Sequence, residues 1–232
     1  MRILAALILA VLSATSEEVR PLPGSTAAAE AKPEINAATT ATDPGQRLSH
    51  ATRQLLASVK NTSYAHRTAI DETTGSYVTD CSGMLTWLLK RELPEHLSAI
   101  PNKRGRTHPL AADFQEAFVA NVTGWQRIMK VQDVHPGDVF AWRYQNPKPG
   151  KSTGHVVVID SDATLVSENI FSVTVIDSTS APHDDDTRTD SDGIGRGTIQ
   201  LRVDGDGAPV AVLGNAQSTF REYIFAIARP VK

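Results

Sequence analysis

The fold is decided by one stretch, residues 80–89, which reads Asp80-Cys81-Ser82-Gly83-Met84-Leu85-Thr86-Trp87-Leu88-Leu89. Its apolar residues recur at helical spacing until Pro94 interrupts them, so the stretch predicts a helix. Aspartate often caps helix N-termini, which places Cys81, the only cysteine in the chain, in the first turn. The free N–H groups and partial positive charge there stabilise a thiolate. Cys81 is therefore a candidate nucleophile, although a free cysteine is usually only a small buried core residue.

Helical patterns lie on either side of this stretch, and strand patterns follow them. Asp43-Pro44 is a typical helix start, and apolar residues recur at helical spacing up to Val59. His108-Pro109 opens a further helix, whereas residues 61–79 are turn-rich and predicted to be a loop. The strand patterns that follow Trp125 lie at 126–131, 138–142, 155–159, 171–176, 197–203 and 223–228. Helices followed by strands predict an α+β fold, with helices packed on a mostly antiparallel sheet.

The composition excludes some classes of protein. The net charge is -3, and no lysine or arginine stripe forms a basic face, so a nucleic-acid partner is not expected. No Cys/His cluster has the spacing of metal ligands, so neither a zinc site nor a cofactor is expected. Nothing in the composition indicates an oligomeric state. The hydrophobic content of 41% is typical of a chain that folds around a packed core.

The N-terminus indicates export. A basic start, an apolar run and small residues make residues 1–16 a predicted signal peptide, the alternative being a buried N-terminal helix. Residues 17–43 are rich in Ala, Thr and Pro and predict a disordered linker to one domain over 44–232. No membrane insertion is expected once the leader is cleaved. In an exported chain, a lone cysteine is incidental, intermolecular or reactive.

Two further residues could act with Cys81. His155 leads the apolar strand Gly154-His155-Val156-Val157-Val158, where it could accept the thiol proton and later donate it to a leaving amine. Asp177 follows the strand pattern at 171–176, where a carboxylate could orient the imidazole. Each is a weak signal alone, because histidine and aspartate are common at strand ends.

Together these residues resemble the NlpC-type cell-wall peptidases, a branch of the papain-like superfamily. The matching motifs, in order, are Asp80–Gly83, Pro136–Val139, Gly154–Val158 and Asp177–Ser180. The resemblance implies a papain-like fold with Cys81 as nucleophile, His155 as base and Asp177 as orienting residue. It also implies a tyrosine near the oxyanion site, for which Tyr64 is the better match and Tyr77 the competitor. Asp80 and Ser82 would lie at the same oxyanion or substrate-binding site.

The resemblance further implies hydrolysis of an amide bond through an acyl-thioester on Cys81. The substrate would be a peptide of peptidoglycan, in a bacterial periplasm or outside the cell. The sequence departs from the family where Ala65-His66-Arg67-Thr68 replaces an aromatic-Gly-Gly stretch, and where Asp177 stands in place of the commoner histidine. Two alternatives stay open: an amidase or acyltransferase with a substrate outside the cell wall, and an inactive cell-envelope binding module.

An acidic loop follows the proposed site. Residues 184–192 could bind Ca²⁺ or a cationic substrate group, but they lack the spacing of an EF-hand, and a solvated loop is the simpler interpretation. His183 and Arg188 are expected to contact substrate because they lie close to Asp177 in sequence. Asp204-Gly205-Asp206-Gly207 predicts a hairpin turn.

Overall fold

The computed structural model describes residues 43–102, 105–148, 152–188 and 192–232. The predicted signal peptide lies outside these residues, as does all of the predicted linker except Asp43. Within them the chain is α+β, as the sequence predicts. The helices are α1 (Pro44–Ser58), α2 (Cys81–Glu92), α3 (Pro94–Ser98) and α4 (Ala111–Val119).

The strands form two sheets. The small sheet contains β1 (Asn61–Tyr64), β2 (Ala69–Asp71) and β3 (Ser76–Thr79), in the order β1-β3-β2. The large sheet contains β4 (Trp125–Ile128), β5 (Val139–Arg143), β6 (Gly154–Ile159), β7 (Thr164–Ser167), β8 (Ile170–Thr179), β9 (Gly193–Val203), β10 (Pro209–Leu213) and β11 (Ile224–Pro230). Its order is β10-β9-β8-β6-β5-β11-β4, with β7 paired to β8. Every strand pair is antiparallel except β1 with β3, so the mostly antiparallel arrangement is confirmed.

The helix boundaries follow from local chemistry. The Asp43 carboxylate accepts a hydrogen bond from the Gln46 N–H at 2.9 Å, and Pro44 is the first residue of α1. Pro94 follows the end of α2, as predicted, because it cannot continue the helical hydrogen bonding. The same proline begins α3, since its fixed φ suits a first helical position.

The prediction of a loop at 61–79 is wrong, because β1, β2 and β3 occupy that segment. Tyr77 and Thr79 are buried and alternate with half-buried neighbours, which is the pattern of a strand with one covered face. Gly75 has a φ of +71° and makes the turn before β3, where an added Cβ would lie 2.7 Å from a backbone oxygen. Strands β7 and β10 were also not predicted. The hairpin turn predicted at 204–207 does connect β9 to β10, which pair with each other.

Alternate residues of the large sheet contribute to two hydrophobic cores. Val139, Ala141, Val156 and Val158 pack with α1, α2 and α4 on one face. Phe140, Trp142, Val157 and Ile159 belong to a second core, together with residues of β8, β9 and β11. Val156 and Val157 are 1% exposed or less, so the apolar run after His155 is explained by burial of both faces.

Strands β6 and β8 separate at the end where the site lies. They pair only through Val158 with Ile176 and Ile159 with Val175. His155 and Asp177 lie beyond those pairs, where no ladder bonds hold the two strands together. The opening leaves room for side chains of both strands and for the N-terminus of α2.

Candidate active site

Cys81 is the first residue of α2, and the segment before it is tightly fixed. The Asp80 carboxylate accepts a hydrogen bond from the Gly83 N–H at 2.7 Å and caps the helix. The Ser178 hydroxyl donates to the Thr79 carbonyl at 2.7 Å, which joins this segment to β8 beside Asp177. Cys81 is only 4% exposed. Its backbone position is therefore set by contacts to α2 and β8.

His155 is positioned by the glycine before it. Gly154 has a φ of +156°, and a Cβ there would lie 1.9 Å from the Trp142 carbonyl oxygen. Only glycine lets strand β6 approach β5 this closely. Trp142 is the cross-strand neighbour of His155, and their ring centroids are 5.0 Å apart. The indole therefore covers the imidazole from the side of β5.

Replacing Gly154 with alanine is expected to displace β6 at His155. The added methyl group must move the backbone of β5 or β6, at a cost of about 1–3 kcal/mol of unfolding free energy. Urea unfolding measures this loss. Gly205→Ala is the control, because a Cβ there has no atom of the described structure within 4 Å. Equal stability of the two variants would show that β6 is not held by this close approach.

Asp177 lies inside β8 and not at a strand end as predicted, because β8 continues to Thr179. Its carboxylate is fully buried, and Oδ2 lies 2.5 Å from the His155 Nε2. Burial raises the pKa of this carboxyl. The charge of His183 and hydrogen bonds from His155 and His183 outweigh that effect and hold the pKa well below its usual range. Asp177 is therefore an ionised acceptor for the imidazole.

Cys81 lies close to the same imidazole. Burial lowers the pKa of His155, but the neighbouring Cys81 and the hydrogen bond to Asp177 raise it well above its usual value. Because Nε2 is bonded to Asp177, Nδ1 is the ring nitrogen that remains available. The structure thus brings Asp177 into contact with His155 and places Cys81 near it.

Tyr64 lies beside this group, whereas Tyr77 does not. Strand β1 runs parallel to β3 and pairs Tyr64 with Thr79, two residues before Cys81. Burial and the charge of the Cys81 thiolate both raise the Tyr64 pKa above its usual value. Tyr77 is 1% exposed in the core, and its hydroxyl lies 2.6 Å from the Ser58 hydroxyl. Of the two tyrosines, only Tyr64 can meet a substrate at Cys81.

The Ser82 side chain is directed to Asp80. Its hydroxyl donates to the Asp80 carboxylate at 3.0 Å, and the residue is 3% exposed. Two histidines that were not predicted lie against the same carboxylate, His66 through Nδ1 at 3.2 Å and His108 through Nε2 at 3.6 Å. Burial raises the Asp80 pKa, but the nearby His108 imidazole and hydrogen bonds from Gly83 and His66 lower it to about 2. Asp80 is thus a charged helix cap directly before Cys81.

His183 and Arg188, which were expected to contact substrate, both contact Asp177. The His183 Nε2 lies 3.1 Å from Asp177 Oδ2. The Arg188 Nη2 donates hydrogen bonds to Asp177 Oδ1 and to the backbone carbonyl of Asp177. The Arg188 side chain is fully buried. Both side chains are therefore engaged by Asp177. Sequence alone could not reveal this, because two polar residues in an acidic loop are usually solvated.

The described part of the acidic loop does not form a cation site of its own. Asp186 accepts hydrogen bonds from the His183 N–H and from Arg188, and Asp184 accepts one from the Ala216 N–H. One group of described side chains has metal-binding geometry, namely His155, Asp177 and His183, whose ligand atoms lie within 4.8 Å of one another. In that group both imidazole Nε2 atoms already share Asp177 Oδ2.

No protein-family model, curated protein or solved structure matches this chain. Among the residues that the structure covers, no helix has the length and apolar character to span a membrane.

Proposed function

We propose that this chain is an exported cysteine hydrolase of papain-like, NlpC-type fold that cleaves an amide bond. The observation that carries the proposal is the mostly buried His155, whose Nε2 is held at 2.5 Å by Asp177 and which lies near Cys81. Such an arrangement activates a thiol and fixes the imidazole in one orientation. The motif order from Asp80 to Asp177 supports the same class of enzyme.

The residues have distinct roles in this reaction. The Cys81 thiolate attacks the carbonyl carbon of the substrate, and the carbonyl oxygen becomes an oxyanion. The imidazolium of His155 then gives its proton to the leaving amine, and the C–N bond breaks to leave an acyl-thioester on Cys81. His155 next takes a proton from water, whose oxygen attacks the thioester. The acid leaves, the sulfur returns as thiolate, and His155 keeps the proton.

The oxyanion is stabilised by the first turn of α2. The Gly83 N–H is bonded to the Asp80 carboxylate, and the Met84 N–H to the Asp80 carbonyl. Helix geometry leaves the N–H groups of Cys81 and Ser82 without intrahelical acceptors, so these two donate to the oxyanion. The Tyr64 hydroxyl is the third donor, since its pKa is raised and it keeps its proton.

The proposed substrate is a stem peptide of peptidoglycan, in a periplasm or outside the cell. The predicted leader and the resemblance to cell-wall peptidases support this substrate. One observation favours the alternative of an amidase or acyltransferase with another substrate: His66 stands where the family has an aromatic-Gly-Gly stretch, and it contacts Asp80 at 3.2 Å. The complete Cys81, His155 and Asp177 set argues against an inactive binding module.

Alkylation by iodoacetamide tests the proposed nucleophile directly. At about pH 6, wild-type Cys81 is expected to react faster than free cysteine, because an ion-paired thiolate persists where a free thiol is protonated. His155→Ala is expected to slow the reaction. The matched control is His135→Ala. His135 also contacts an aspartate, Asp162, at 2.8 Å, but it is exposed on the surface. A wild-type rate no greater than that of free cysteine would disprove the enzyme assignment.

A further inference from the structure

Hydrogen-bond geometry fixes the charge of His183. Its Nδ1 lies 2.9 Å from the Gly214 carbonyl oxygen, and its Nε2 lies 3.1 Å from Asp177 Oδ2. A carbonyl oxygen and a carboxylate oxygen only accept hydrogen bonds, so both ring nitrogens must donate. A histidine that donates from both nitrogens is an imidazolium. The side chain is 8% exposed, so water does not replace these contacts.

The loop that carries His183 and Arg188 rests on alternate glycines of β9. A Cβ at Gly195 would lie 2.4 Å from the Arg188 Cγ, and a Cβ at Gly197 would lie 2.7 Å from the His183 Cβ. Side chains at these positions would push the loop away from β8. The glycines thus allow residues 182–188 to lie against the sheet next to Asp177.

The charged side chains in contact with Asp177 and Arg188 balance. Asp177 and Asp186 are negative, and His183 and Arg188 are positive, with Arg188 bonded to both carboxylates. The two buried anions are therefore neutralised by these two cations, and a positive charge on His155 is not needed to balance them. The thiolate and imidazolium of Cys81 and His155 then form a separate neutral pair, which suits a site where net charge is costly to bury.

We propose that His183 and Arg188 are positioning residues for the hydrolase: the His183 imidazolium and the Arg188 guanidinium clamp Asp177 so that its Oδ2 fixes His155 against Cys81. This inference rests on the proposed function. The clamp acts through Asp177, since neither side chain reaches the reacting atoms. Nothing in the acidic loop needs to bind a ligand for this role.

The clamp has a consequence for pH dependence. Charged and polar groups from several elements surround His183. They are Asp177 of β8, His155 of β6, Asp186 and Arg188 of the same loop, and the Gly214 carbonyl. Its positive charge lies close to His155, so it disfavours the His155 imidazolium and favours the Cys81 thiolate. Removing that charge is expected to raise the pKa of His155 and to stabilise the Cys81 thiolate less. The pH profile of Cys81 reactivity should therefore move to higher pH.

The test is the rate of iodoacetamide alkylation of Cys81 across the pH range for wild type, His183→Gln and the surface control His135→Gln. We expect both inflections of the His183→Gln profile to rise by about half a pH unit or more, with no movement in the control. If His183→Gln fails to fold, nitrogen NMR of the imidazoles in the wild-type chain decides the charge of His183 instead. Unmoved inflections in a folded variant would overturn the clamp.

A second measurement tests the charge of His183 and does not depend on the reactivity of Cys81. Nitrogen NMR of the imidazoles in the full chain, assigned with His183→Gln, should show both His183 nitrogens protonated at about pH 7. A neutral His183 there would overturn the proposal. If His183 is protonated but wild-type Cys81 reacts no faster than free cysteine, the clamp stands as a structural feature and the hydrolase assignment fails.

Discussion

Replacing Cys81 with alanine is expected to lower cleavage of purified peptidoglycan by at least about 10⁴-fold. The acyl-thioester cannot form without the sulfur, and His155 alone has no nucleophile to activate. The first turn of α2 would still bind the carbonyl oxygen, so a small residual rate is expected. Digestion followed by mass spectrometry of the fragments measures both the rate and the bond that is cut.

The outcome separates the proposed substrates. Identical fragments from wild type and Cys81→Ala would show that the cell-wall assignment is wrong. The fold of the variant is checked by thermal unfolding, since a buried thiol replaced by a methyl group leaves only a small cavity. If wild type cleaves no peptidoglycan while its Cys81 is alkylated rapidly, the alternative of an amidase or acyltransferase is favoured.

The three residues of the proposed triad were identified from the sequence because each lies at a local signal. A capping aspartate marks the start of α2 at Cys81, and a glycine forced by close approach precedes His155. Asp177 follows an apolar strand pattern. These signals are short-range, so they survive in a single sequence. The pairing of β6 with β8 that brings them together is long-range, and only the motif order indicated it.

The supporting residues could not be found in the same way. Arg188 is fully buried, although the sequence around it is polar and acidic. Burial of a charged residue depends on partners from other elements, here Asp177 of β8 and a carbonyl of β9. The alternate glycines at 193, 195 and 197 were the available signal, because such a strand offers a surface on which another segment can lie. The short strands β1 to β3 were missed since their residues are mostly polar.

Replacing Arg188 with methionine is expected to destabilise the fold more than any other single substitution considered. Its guanidinium donates to Asp177, to Asp186 and to the Gly193 carbonyl at 2.8 Å, and the side chain is fully buried. Methionine fills much of the volume of the arginine side chain but carries no charge. The buried carboxylates of Asp177 and Asp186 would then share one cation, His183. Removing one partner of a buried ion pair costs about 3–5 kcal/mol, which urea unfolding at about pH 7 measures.

A matched control and the pH dependence make this test specific. Arg47→Met removes an exposed arginine 3.8 Å from Glu92, which should cost less than about 1 kcal/mol. Because the Asp177 pKa is held well below its usual range, its contribution to stability is present above the usual carboxyl pKa and lost as pH falls through the folded value. The difference between wild type and Arg188→Met should therefore be largest near neutral pH and shrink on acidification, since a protonated Asp177 no longer needs the cation. A difference that is small at neutral pH, or that grows as pH falls, would show that Arg188 is not held there by charge.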